Sequence, residues 1–93
     1  MSEQTIINIE SPEEFEQLVL KAEGNKLVKF TAPWCGPCKQ MKPVDEQIDA
    51  SEDIQVLYVD VDSDKLNEYA KSKFGIRGVP TYIAFKNGET VST

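Results

Sequence analysis

Leu27-Val28-Lys29-Phe30-Thr31-Ala32-Pro33-Trp34-Cys35-Gly36-Pro37-Cys38-Lys39 is the stretch on which the fold turns. Leu27 to Thr31 is rich in strand-forming residues, Ala32-Pro33-Trp34 leads off that strand, and Cys35 stands where a helix begins. After Cys38 the apolar positions Met41, Val44 and Ile48 recur at three and four residues, so the helix runs to about Ser51. Pro43 lies inside it, where a kink is expected. Two cysteines therefore sit at a strand-to-helix junction.

That placement gives the pair its chemistry. A helix N-terminus presents unpaired N–H groups and a partial positive charge, which stabilise a thiolate and lower its pKa. Cys35 is the residue placed there. Cys38 lies one turn on along the same side, so its sulfur is within reach for a disulfide that closes a very small ring. Such a ring restrains little unfolded-chain entropy, which makes it a poor staple and a good redox couple. Inert buried thiols would leave the Gly36-Pro37 spacer unexplained. Zinc needs four ligands, and two cysteines with no histidine would supply them only in a site shared between two chains. Haem attachment needs a histidine where Lys39 stands, and an iron–sulfur cluster needs more cysteines. No metal and no cofactor is assigned.

Working outward, strands and helices alternate. Thr5 to Ile9 is a first strand, and Ser11-Pro12-Glu13-Glu14 supplies an N-cap, a proline at the first helical position and the Glu of a capping box. Phe15, Leu18, Val19 and Ala22 form the stripe of that helix, with Gly24 as its left-handed stop. Gln55 to Val61 is a third strand. A cap at Asp62-Ser63-Asp64 opens a helix with the stripe Leu66, Tyr69, Ala70 and Phe74, which Gly75 ends. Thr81 to Phe85 is a fourth strand, and Asn87-Gly88 turns it back as a hairpin into Glu89 to Ser92. The order β-α-β-α-β-α-β-β gives an α/β class with a mixed sheet: parallel crossovers join the first four strands, the closing hairpin is antiparallel, and three helices flank the sheet.

With 93 residues, 40% of them hydrophobic and 28% charged, the chain is one globular domain, 1–93, with a single core. Its apolar runs are too short to span a membrane. Met1-Ser2-Glu3-Gln4 has neither a basic nor an apolar leader region, which places the protein in the cytoplasm. Ten cations against 16 acids give a net charge of −6, which repels phosphate backbones and anionic lipid, so neither nucleic acid nor membrane is expected as a partner. Eight of the acids fall between Asp45 and Asp64 with no Lys or Arg among them, and read as a solvated acidic face.

Ala32-Pro33-Trp34-Cys35-Gly36-Pro37-Cys38-Lys39 resembles the active-site motif of the thioredoxin family. Pro43 matches that family's kink-forming proline, Phe74 to Thr81 resembles the segment that carries its cis-proline, and Phe85 to Glu89 resembles its final hairpin. The resemblance runs from the first strand to the last residue. It implies the thioredoxin fold and a dithiol reductase, with Cys35 attacking a disulfide in a protein substrate and Cys38 resolving the mixed disulfide. A reductase or other thiol donor would reset the pair. Trp34, Gly36, Pro37, Gly78, Val79 and Pro80 would form an apolar lip around an exposed sulfur, with Val79 the residue that docks an extended substrate.

Three departures from the family stand out. Where the family carries a partly buried Asp on the second strand this chain has Lys29, and the lysine that partners that Asp is replaced by Tyr58. As a cation near the sulfurs, Lys29 would favour thiolate, stabilise the reduced form and make the protein more oxidising than a typical family member; a side chain that snorkels to solvent would do nothing. Thr31 replaces a common aromatic. Family members also continue past the hairpin into a last helix, whereas this sequence ends at Thr93. One strand parity is wholly apolar (Val28, Phe30, Leu57, Val59, Val61, Ile83, Phe85) and the other mixed, as a sheet with one face partly open to water would tolerate. The leading function is thus a thiol–disulfide oxidoreductase that reduces protein disulfides. A thioredoxin-like docking subunit with dispensable cysteines is the alternative.

Overall fold

The computed structural model describes residues 6–51 and 53–92. Thr5, read as the start of the first strand, lies outside them. The strand β1 spans Ile7–Ile9 and leads to a helix start built as its sequence dictates. Ser11 Oγ accepts the Glu14 N–H at 3.2 Å, and Pro12 takes the first helical position, where a missing N–H costs nothing. Glu14 reaches back one residue beyond the cap, accepting the Glu10 N–H at 2.8 Å. This helix, α1 (Pro12–Phe15), continues as a π-helical segment, Glu16–Leu20.

The strand β2 (Asn25–Thr31) is followed by α2 (Gly36–Gln40) and α3 (Lys42–Ala50). A kink was expected at Pro43, and the structure breaks the helix at Met41 instead. Pro43 has no N–H for the Lys39 carbonyl and its ring crowds that carbonyl, so the ladder fails in the turn before it. Next come β3 (Ile54–Asp60), α4 (Asp64–Phe74), β4 (Thr81–Lys86) and β5 (Glu89–Ser92). Gly75, at φ +64°, ends α4 in the left-handed conformation anticipated for it.

The five strands form one sheet in the order β1-β3-β2-β4-β5. Pairs β1/β3 and β2/β3 are parallel, and β4 runs antiparallel to both β2 and β5. The sequence led to a parallel β4, and this is corrected by where the chain leaves and re-enters the sheet. Thr31 pairs with Asp60 as β3 ends, while Phe30 pairs with Thr81 as β4 begins. The helix α4 and the segment 75–80 therefore make an excursion that returns to the end it left, which reverses the strand.

The wholly apolar parity faces the main core. Val28, Phe30, Leu57, Val59, Ile83 and Phe85 are buried there under Phe15, Val19, Leu66 and Ala70 from α1, its π-helical extension and α4. Phe15 anchors this layer, with its ring 5.2 Å from Phe74, 5.6 Å from Tyr69 and 5.9 Å from Phe85. Each such side chain contributes roughly 1.5–3 kcal/mol by leaving water. The opposite face lies under α3. There the stripe differs from the one read in sequence: Val44 is 42% exposed, and Asp45 and Asp49 are the buried positions. Asp49 turns inward because its carboxylate accepts the Val56 N–H at 2.9 Å, so part of the supposed solvated acidic face is internal.

At the other end of the sheet, Asn87 and Gly88 take φ +52° and +86°, as a two-residue hairpin requires. The turn is bolted to the α1–β2 loop. Asn87 N–H donates to the Gly24 carbonyl at 3.0 Å, and Gly24 N–H donates to Asn87 Oδ1 at 2.8 Å. Gly88 lies so close to the π-helical segment that a Cβ on it would stand 2.1 Å from the Leu20 carbonyl oxygen.

Candidate active site

The end of the sheet where β2 and β3 finish and β4 begins gathers the chemistry. In a parallel pair the chain leaves both strands at their carboxyl ends, and the loops that follow converge there. Cys35 and Cys38 follow β2, Val61 and Asp62 follow β3, and Gly78, Val79 and Pro80 precede β4.

Cys35 is the N-cap of α2. Its backbone is extended, and its Sγ accepts the Cys38 N–H at 3.1 Å, so one of the orphan donors of the helix start points at sulfur. Cys35 and Cys38 are joined as a disulfide, with Cα atoms 5.3 Å apart. Both are 3% exposed, packed with Ala32 and against Val61 and Val79. The sequence pointed to an exposed Cys35 sulfur; here it is covered, because Sγ turns inward to meet both the Cys38 N–H and the Cys38 sulfur.

The residues read as the lip lie around the cysteine pair. Trp34 is 68% exposed and its indole N–H donates to Asp62 Oδ2, which pins the ring beside the motif. Gly36 and Pro37 are exposed in the first turn of α2, Gly78 is exposed, and Val79 and Pro80 are half-buried. The Val79–Pro80 bond is cis. A groove of about 210 Å3 runs between Trp34 on one side and Gly78-Val79 on the other, floored by Val61, Ala70 and Ile76.

Lys29 lies one layer beneath. It is 1% exposed, so the snorkelling reading is wrong. Its Nζ donates to the Cys38 carbonyl at 2.6 Å and to Asp45 Oδ2 at 2.7 Å, and it sits 5.1 Å from the Tyr58 ring centre and 5.7 Å from that of Tyr82. Asp45 is also the acceptor for two phenols, Tyr58 Oη to Oδ2 and Tyr82 Oη to Oδ1, each at 2.7 Å. Burial, and then the hydrogen bond to the Asp45 carboxylate, hold both phenols above the usual tyrosine range. Sequence reasoning missed Asp45. The one signal in the sequence was an inner-strand lysine, which needs a carboxylate when it is buried; that Tyr58 and Tyr82 flank Lys29 is visible only in the strand register.

Beside this cluster a cleft of about 490 Å3 opens, with Thr31, Cys38, Lys42 and Tyr58 among its walls.

Residues 6–93 match the family model for thioredoxin. The chain is 40% identical to thioredoxin of Pseudomonas aeruginosa over 90 residues, covering 95% of this chain and 80% of that protein. It is 40% identical to thioredoxin of Rhodospirillum rubrum over 79 residues, 85% of this chain and 75% of that protein. A solved thioredoxin variant from Halobacterium salinarum superposes with a TM-score of 0.84 at 34% identity, covering 99% of this chain and 78% of that one. None of these relatives supports the docking-subunit alternative. The cysteine pair at a strand-to-helix junction, the five-stranded mixed sheet and these likenesses agree: the chain belongs to the thioredoxin family and is a thiol–disulfide oxidoreductase that reduces protein disulfides.

Proposed function

We propose that Cys35 is the attacking thiol and Cys38 the resolving one, within a single domain, 1–93, that works in a reducing compartment such as the cytoplasm. The observation that carries the assignment is the Cys38 N–H aimed at Cys35 Sγ, a donor that stabilises negative charge on that sulfur and on no other. In the reduced protein the Cys35 thiolate attacks a substrate disulfide, forming a mixed disulfide and releasing one substrate thiolate, which takes a proton. Cys38 gives up its proton and attacks Cys35 Sγ. The second substrate thiol leaves, and the Cys35–Cys38 disulfide remains. Two electrons and two protons have passed to the substrate. A protein reductase or another dithiol returns them.

Trp34, Gly36, Pro37, Gly78, Val79 and Pro80 serve as the substrate lip, with the Val79 backbone docking an extended segment. Lys29 tunes the pair. Its ammonium is fixed to the Cys38 carbonyl and balanced by Asp45, so its positive end faces the resolving cysteine and favours the thiolate that must form there. Lys29→Met paired with Asp45→Leu should therefore lower the reduction potential in a glutathione buffer; an unchanged or higher potential would remove Lys29 from this role.

The deciding experiment is reduction of insulin disulfides by dithiothreitol with catalytic amounts of the chain, beside Cys35→Ser and Cys38→Ser. Acceleration by the wild type that disappears in Cys35→Ser is expected. Cys38→Ser should instead accumulate mixed disulfide. Full activity in Cys35→Ser would overturn the assignment.

A further inference from the structure

The groove between Trp34 and Val79 is walled by opposite charges drawn from two differently charged stretches of chain. Asp45 to Asp64 contains eight acids and no cation, whereas 65–88 contains Lys65, Lys71, Lys73, Arg77 and Lys86 against Glu68 alone. The seam between them runs through the groove. Asp62, Lys71 and Arg77 all line it, together with the apolar Val61, Ala70, Ile76 and Val79.

The two signs of charge differ in what they have left to bind. The Asp62 carboxylate already takes the Trp34 indole N–H. Lys71 and Arg77 are exposed, and among the described residues neither makes an ion pair. Arg77 immediately precedes Gly78-Val79, so a segment laid along Val79 passes its guanidinium, whose planar fork fits a carboxylate. From this charge complementarity we infer that the preferred substrates carry an acidic side chain next to the disulfide, on the part of the segment that meets Lys71 and Arg77. This deepens the proposed reductase reading and rests on it.

The net charge of −6 opposes acidic partners at a distance. At physiological ionic strength, however, screening sets in beyond about 8 Å, and contact charges in the groove then outweigh the average of the surface. The size of the effect follows from its exposure. Two solvent-facing pairs are together worth about a fivefold preference.

The test uses three disulfide-bridged peptides identical except for Glu, Gln or Lys beside the cysteine. Each is reduced with dithiothreitol and the chain, and each rate is divided by the uncatalysed one. The expected order is Glu above Gln above Lys, spanning about fivefold between Glu and Lys at low salt and narrowing at high salt. The order should shrink in Arg77→Gln and invert in Lys71→Glu/Arg77→Glu. Equal rates, or an order that survives charge reversal, would overturn this inference alone. Reduction of none of the peptides would overturn the reductase reading and this inference with it.

Discussion

Asp45 ties three strands to α3 with one carboxylate, taking Lys29 from β2, Tyr58 from β3 and Tyr82 from β4. Asp45→Ala strands a buried ammonium, and removing one partner of a buried pair typically costs about 3–5 kcal/mol. Urea midpoints should show that loss, and the pair Lys29→Met/Asp45→Leu should be less destabilised than Asp45→Ala alone, because it leaves no uncompensated charge. The two phenols make a second prediction. Both are raised in the fold, whereas an unfolded tyrosine ionises near about 10. Their contribution is therefore complete below that pH and is lost as pH climbs toward the folded values, where the unfolded state has already shed its protons. Tyr58→Phe/Tyr82→Phe should flatten the alkaline fall in stability, measured by urea unfolding on either side of about pH 10. Residue by residue, the proximity of Cys35 and Cys38 was legible because their spacing is local. Asp45 was not, because its partners come from three strands and its own helix had been read one position out of phase.

Among the elements, the hairpin and the π-helical segment act as one unit. Gly88 has a left-handed φ of +86°, and its missing side chain is what lets the Leu20 carbonyl approach. Gly88→Ala meets both obstacles, a disfavoured backbone and a clash with a backbone atom that has nowhere to move. Thermal unfolding should report a loss of more than about 2 kcal/mol, whereas Gly36→Ala, with open space around its Cβ direction, should leave stability nearly unchanged. The Ser11 cap, the left-handed Gly75 and the Asn87-Gly88 turn could be read in the sequence, since each is written in a few consecutive residues, whereas the end of the first helix, read at Gly24, falls at Lys21. The direction of β4 was not written that way. A helix between two strands ordinarily announces a parallel crossover, and only the shared sheet end of Asp60 and Thr81 shows that this one reverses.

For the molecule as a whole, the disulfide is a light constraint. A ring of four residues restricts the unfolded chain by only about 2 kcal/mol in the loop-entropy account. The unfolding free energies of the oxidised and reduced forms, taken from urea titrations, should therefore differ by no more than that. A larger gap would mean that the fold itself disfavours two thiols at this site. The sheet order carries a different consequence. The central strand β2 is bordered by β3 and β4, both made after it. While the chain is being synthesised, Val28 and Phe30 have no strand on either side until β3 emerges, and one open edge until residue 86 is out. A seven-residue strand left in that state invites pairing with a neighbouring nascent chain. The interval between the emergence of β2 and that of β4 is therefore the window in which the central strand is open to the wrong partner.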